Sequence, residues 1–343
     1  MRSLLVLMGL VLAVSPTEAL AQRHTLIALS HATHGVYELD PSTGKILKQF
    51  IAPGELHEAA ISPDGRTIFV SVPGERLVQV IDAVTFKEKG RIETDMFKRS
   101  KPRPGQEGPG RRGISAWPHG LALNNDGSKL YISVEDAEIP GVVVYDVKAG
   151  KAIKKVDTEL RGGHYMMVQP RTDKLYFPHT ADNSVVVIDT KTDKIIKVVP
   201  VTGGPVGVAS APNGEVWVQG DADGSITVID SKKDEVVNVI QTGSKKGEGR
   251  IAVSPDGRYV GSTRVSSGDV SIINGQTKQV VATIPMGKGQ LTPHFSPDST
   301  KLYVLNADDA LCTVDVRTSK IIARSKLESG PFGLGGGVRV RAD

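Results

Sequence analysis

Residues 57–92 read HEAAISPDGRTIFVSVPGERLVQVIDAVTFKEKGRI. A short apolar run ends in the turn Ser62-Pro-Asp-Gly65. A Leu-Tyr-Val-like strand, Ile68-Phe-Val70, follows, then a polar hairpin. A Val-x-Val-Ile-Asp strand ending at Val80-Ile-Asp82 is followed by a Thr-x-Lys turn, Thr85-Phe-Lys87, and a last strand. Four strand-length segments punctuated by Gly, Pro and Asp, with no helical period between them, are the pattern of an antiparallel meander.

The same phrase recurs along the chain. Counterparts of the first turn stand at Leu123 to Gly127, Ala211 to Gly214, Ser254 to Gly257 and Ser296 to Asp298. Counterparts of Val80-Ile-Asp82 stand at Val144 to Asp146, Val187 to Asp189, Val228 to Asp230, Ile272 to Asn274 and Val314-Asp315. A repeat of roughly 40–45 residues carrying four strands is one blade of a propeller. One such sheet cannot bury both faces, so blades must stack around an axis.

Innermost strands start near His57, His119, His164, Val206, Arg250 and Leu291, which gives six blades. The chain begins in the middle of a repeat: Leu26–Ser30, Val36–Asp40 and Lys45–Ile51 read as second, third and fourth strands. The run from Pro331 to Val340 reads as a lone innermost strand. The two ends together complete a seventh blade and remove the edge that an open array would leave. The expected fold is therefore an all-β, seven-bladed β-propeller of four-stranded blades.

Gly204-Pro-Val-Gly-Val-Ala-Ser210 and Leu302-Tyr-Val-Leu-Asn306 give this repeat a resemblance to the YVTN family of β-propellers, the surface-layer and YncE-like proteins. The likeness covers residues 22–343. It implies a propeller and little about activity, because the family's fold hosts binding modules and several kinds of enzyme. The propeller domains of nitrous oxide reductase and of the haem-d1 nitrite reductases are similar in fold. No stretch matches the ligand motifs of either, so none of their functional residues is carried over.

Residues 1–21 read as an export signal. Arg2 precedes an apolar run from Leu4 to Val14, Pro16 breaks it, and Ala19-Leu20-Ala21 is a small-x-small cleavage site before Gln22. No later stretch is apolar enough to span a membrane. The expected location is the periplasm or the exterior. The single cysteine, Cys312, forms no internal disulfide and reads as a small buried residue. A net charge of +4 dispersed along the chain gives no reason to expect nucleic acid as a partner.

Function in a propeller collects at the face where the fourth-to-first connections and second-to-third hairpins open, since every blade contributes there to one funnel. The position six residues before the turn proline holds His57, His119, His164, Val206, Gly249 and Leu291 in successive blades. Three consecutive blades thus place histidine at one equivalent strand mouth, and the chain has only eight histidines. Three imidazoles converging on an open position are a transition-metal site. His179, at the end of a second strand, and His31 and His34, in the hairpin next to blade one, extend the set of candidate ligands. Glu58, Glu135, Asp136 and Asp221 are candidate oxygen ligands or acid–base groups. Arg250 and Arg264 are candidates to hold an anion across the funnel; Glu58 and both arginines are the candidate catalytic residues. His294, three residues further along its strand, reads as a core histidine, and His24 as an exposed one. With imidazole ligands, no thiolate and an exported chain, copper is favoured over zinc or iron.

The connection 94–117 is an insertion. It carries Lys98, Arg99, Lys101, Arg103, Arg111 and Arg112, is rich in Gly and Pro, and ends at Trp117-Pro118-His119. It reads as a lid that attracts an anionic small molecule, or as a solvated loop. Two functions fit these features: a metal-dependent enzyme, oxidoreductase ahead of hydrolase or lyase, and a non-catalytic binding propeller with a small ligand or a periplasmic protein partner.

Overall fold

The computed structural model describes residues 24–97, 117–135, 140–243, 247, 249–287, 292–306, 310–327 and 332–340. Residues 1–21, on which the export reading falls, most of the insertion (98–116), Asp136 and Leu291 lie outside them. The described residues form seven four-stranded antiparallel sheets. Six are built from consecutive strands. In the seventh, the C-terminal strand Phe332–Val340 pairs with the N-terminal strand His24–Ser30, as the interrupted repeat predicts. No described helix is long and apolar enough to cross a membrane.

The core lies between blades, not within them. Seven buried apolar clusters each draw on two neighbouring sheets. Tyr131, Val142 and Val144 of blade two, for example, meet Leu175, Phe177, Val186 and Ile188 of blade three. Each fully buried aliphatic side chain contributes about 1.5–3 kcal/mol, so one blade interface is held mainly by area. Outermost strands gain little from this. Glu235–Gln241 leaves Val236, Val237 and Val239 exposed.

Polar bolts fix the spacing between blades. The Tyr131 hydroxyl donates to Asp193 Oδ1 at 2.7 Å and Lys129 Nζ donates to Asp193 Oδ2 at 2.8 Å. One blade further on, Tyr176 and Lys174 repeat the pattern on Asp234. The tyrosine of the Leu-Tyr phrase is thus a cross-blade donor to the turn aspartate of the next sheet. In blade six its counterpart Tyr303 meets His24 Nε2 at 3.1 Å. His24 is therefore buried, contrary to the exposed position expected of it, because its strand is sandwiched between blade six and the closing strand.

Closure of the ring has its own latch. Arg339, on the last strand, donates from Nη1 to Glu38 at 2.7 Å and from Nε to the Gly65 carbonyl at 2.7 Å. Thr25 and Lys48 also contact the buried Glu38 carboxylate. Burial alone would raise the pKa of Glu38. The hydrogen bonds from Thr25 and Lys48, with the charges of Lys48 and Arg339, outweigh it and hold the group below its ordinary value. Cys312 is buried, as read from the sequence.

Candidate metal centre

The innermost strands do not run straight to the funnel. In blade two, the pairing of Trp117–Leu123 with its neighbour slips between Pro118 and Leu121, so His119 and Gly120 form a bulge. A bulge turns side chains out of the regular alternation and re-aims them. A hydroxyl on the second strand holds this mouth in several blades. Ser71 Oγ accepts from the Glu58 amide at 3.0 Å, Ser133 Oγ from the Gly120 amide at 2.6 Å, and Thr263 Oγ1 from the Arg250 amide at 3.0 Å. Gly120 is required where it stands. A Cβ there would lie 2.0 Å from the His164 carbonyl oxygen of blade three. Its absence lets the two strand mouths approach.

The result is a row of imidazoles around one sector of the rim. Ring centroids are 5.2 Å apart for His31 and His57, 4.6 Å for His57 and His119, and 5.1 Å for His119 and His164. Nδ1 of His57 and Nε2 of His119 share a hydrogen bond of 2.8 Å. Glu135, from the second strand of blade two, sits between the last two rings. Its Oε1 lies 2.8 Å from His164 Nδ1 and 3.5 Å from His119 Nδ1. Trp117 donates its indole N–H to Oε2 of the same carboxylate at 3.1 Å, which fixes its orientation.

Two sets of two imidazoles and one carboxylate emerge: His119, Glu135 and His164, and His31, Glu55 and His57. Within each set the ligand-type atoms lie within 4.8 Å of one another. Burial pushes the His119 pKa down to about 3, partly offset by the Glu135 charge. Burial, then the neighbouring His31, also lowers His57. Burial would raise Glu135; His164, His119 and the Trp117 N–H outweigh it and hold the carboxyl below its usual range. At neutral pH His57 and His119 are therefore neutral imidazoles and Glu135 an ionised carboxylate, the forms that ligate metals. His57, Pro73, Gly74, Arg76, Trp117, His119, Glu135 and His164 line a cavity of about 390 Å³ beside the row.

Other candidates stand apart. His34 sits on an exposed left-handed turn (φ 54°) and belongs to neither set. His179 is fully buried, with its ring packed edge-on against Phe177 at 4.4 Å; burial pushes its pKa down to about 4. It lies in the second strand, whose end turns into the space between blades, and it too belongs to neither set. Arg264 ends the equivalent strand of blade five. It is buried and donates to the Gly220 carbonyl at 2.9 Å, which ties blades five and four together instead of presenting charge to the funnel. His294 is a core-type histidine, its pKa pushed down to about 4 by burial.

Glu58 and Arg250 do meet across the axis. Arg250 Nη2 lies 3.3 Å from Glu58 Oε1, and its guanidinium stacks 3.6 Å from the centroid of the Tyr165 ring. Blades one, three and five thus join over the channel. Desolvation lowers the Arg250 pKa to about 10, which still leaves it charged at neutral pH. Tyr165 and Glu55 are site residues that the histidine column does not point to. The signal for Tyr165 is its place directly after the histidine column, level with Glu58 and Arg250.

The family model for the cytochrome D1 heme domain matches residues 177–291, less than half of the chain. In fold, the protein resembles the haem-d1 propellers. Among solved structures it is similar to hydrazine synthase of Kuenenia stuttgartiensis, with a TM-score of 0.64 and 21% identity over 80% of this chain and 88% of that one. It is also similar to the dihydro-heme d1 dehydrogenase NirN in complex with DHE, with a TM-score of 0.61 and 14% identity over 93% of this chain and 75% of that one. At these identities the likeness is one of fold. No curated protein matches the chain. The match to the YVTN repeat remains a resemblance of phrase. The matched segment 177–291 contains His179, Arg250 and Arg264 but none of His31, His57, His119 or His164.

Proposed function

We propose that this propeller binds a transition metal at its funnel rim through His119, Glu135 and His164, with His57 packed against His119, and that it works on a small molecule there as an exported metal-dependent oxidoreductase. One observation carries the reading. His119 Nδ1 is buried, has no hydrogen-bond partner by geometry among the described residues, and faces at 3.5 Å the Glu135 Oε1 that also lies 2.8 Å from His164 Nδ1. Buried polar atoms of this kind are costly unless something satisfies them. A cation is the group that suits a lone pair and a carboxylate together. Metal bonds of about 2 Å place neighbouring ligand atoms about 3 Å apart, which is the spacing found here.

Copper is the ion favoured by a set of nitrogen and oxygen ligands, since Cu(II) leads the divalent series in affinity for such sites. Bound there, it would supply one-electron redox chemistry. The chain's own residues do the rest. Trp117 holds the Glu135 carboxylate, Glu135 orients the imidazoles, and the cavity of about 390 Å³ is at the small end of ligand sites. Arg76 on its wall favours an anionic or polar substrate. Export to the periplasm follows from the leader read at residues 1–21.

A haem reading, suggested by the family match, fits the residues poorly. The Tyr165–Arg250–Glu58 stack joins three blades over the channel, where a planar macrocycle would have to lie. The ligand histidines His31, His57, His119 and His164 also lie outside the matched segment. Elemental analysis of protein purified under native conditions tests the proposal. About one copper per chain, lost in His119→Ala while the fold is kept, is the expected result. Metal-free protein that takes up neither copper nor zinc on titration would end it.

A further inference from the structure

The second set of ligands, His31, Glu55 and His57, shares only His57 with the site just proposed. His31 Nδ1 lies 2.6 Å from Glu55 Oε1, so the carboxylate fixes that side of the ring. The opposite nitrogen, Nε2, is buried and has no hydrogen-bond partner among the described residues. His57 stacks 5.2 Å away and completes the set. A carboxylate holding one imidazole nitrogen so that the other presents its lone pair is the usual support of a metal-bound histidine.

We infer that the rim carries a second divalent-metal site on His31, Glu55 and His57, and that the His57–His119 hydrogen bond makes the two sites compete. This rests on the reading of His119, Glu135 and His164 as a metal site. The argument is one of tautomers. The hydrogen bond uses Nδ1 of His57 and Nε2 of His119 and holds a single proton. Each neutral imidazole carries one N–H and one lone pair.

When His119 binds an ion through Nδ1, its proton sits on Nε2 and is donated to His57. The proton of His57 then occupies its outward nitrogen, which can no longer ligate. When His57 binds an ion through its outward nitrogen, its proton points at His119 Nε2. His119 must then carry its own proton on Nδ1, facing Glu135. The two outward nitrogens cannot both offer lone pairs while that bond is intact. Filling one site therefore takes a ligand from the other, and the coupling is reciprocal.

The test is a calorimetric titration of zinc, a redox-silent probe, into the metal-free full chain, with elemental analysis of stoichiometry. His31→Ala and Glu55→Gln disable the rim set. His164→Ala disables the inner set. Melting curves confirm that each variant is folded.

The wild type is expected to take two ions, the second more than about tenfold weaker than the first, the scale on which loss of metal-site support acts. His31→Ala should take one ion with the first affinity of the wild type. His164→Ala should take one ion at least about tenfold tighter than the second ion of the wild type. Two wild-type constants equal to those of the single-site variants would overturn the coupling. Wild-type uptake of one ion, abolished by His164→Ala, would overturn the second site and leave the first standing. Uptake by His164→Ala with none by His31→Ala would instead remove the inner site proposed above.

Discussion

Nδ1 of His57 lies 2.8 Å from Nε2 of His119, although 62 residues separate them in sequence and they belong to different blades. The repeat puts histidine at the same strand mouth of neighbouring sheets. The blade packing then brings two equivalent positions to hydrogen-bonding distance. The site is built from repetition itself, without any single local motif.

The ligand role of His119 is open to direct measurement. His119→Ala removes one of three ligands and should lower copper or zinc affinity by more than about 100-fold, beyond the 10–100-fold scale of supporting residues. His119 is buried, so a stability loss of about 1–3 kcal/mol is expected alongside. Titration of metal-free protein, with a melting curve beside it, separates the two effects.

Gly120→Ala tests whether the approach of blades two and three makes the site. The added methyl meets the His164 carbonyl at 2.0 Å, against backbone that cannot rotate away. The expected outcome is a folded protein destabilised by about 1–3 kcal/mol with sharply weakened metal uptake. Unchanged uptake would mean that the His119–His164 spacing is not critical.

Tetrapyrroles are expected to stay out. Incubation with haem, followed by gel filtration, should leave no Soret band with the protein. The guanidinium stacked 3.6 Å from Tyr165 stands where a macrocycle over the channel would lie. A stoichiometric haem complex of the wild type would refute this, and with it the copper assignment.

The latch of the ring should be sensitive to acid. The Glu38 pKa is depressed in the folded protein, so its contribution is fully present above the ordinary carboxylate value of 4.5 and fades as pH falls through the lower folded value. Glu38→Ala leaves Arg339 buried without its main partner and should cost about 3–5 kcal/mol at neutral pH. The difference between wild type and variant should shrink in acid, which denaturant titrations at several pH values would show.

The cross-blade tyrosines predict smaller effects. Tyr131→Phe and Tyr176→Phe each remove one hydrogen bond to a carboxylate, at 2.7 and 2.5 Å. A loss of about 1.5–3 kcal/mol each is expected, since the acceptor is charged. The sites are in adjacent interfaces, and the double variant shows by its additivity whether the blades unfold together.

The sequence alone determined the fold. A four-strand phrase repeated along the chain cannot bury its faces except by stacking, and the split repeat at the two ends can only be completed by ring closure. It also determined that His57, His119 and His164 occupy one equivalent position, because register within a repeat is a local property. What tertiary structure decided is how those side chains are shared. The bulges at the strand mouths, the carboxylates of Glu55 and Glu135, and the close pass allowed by Gly120 group the imidazoles into two sets in place of one ring. The same packing turns His179 and Arg264 inwards between sheets, and draws Arg250 across the axis onto Tyr165 and Glu58. Strand alternation says which face a residue is on. It does not say how far a neighbouring blade approaches, and ligand geometry depends on that distance.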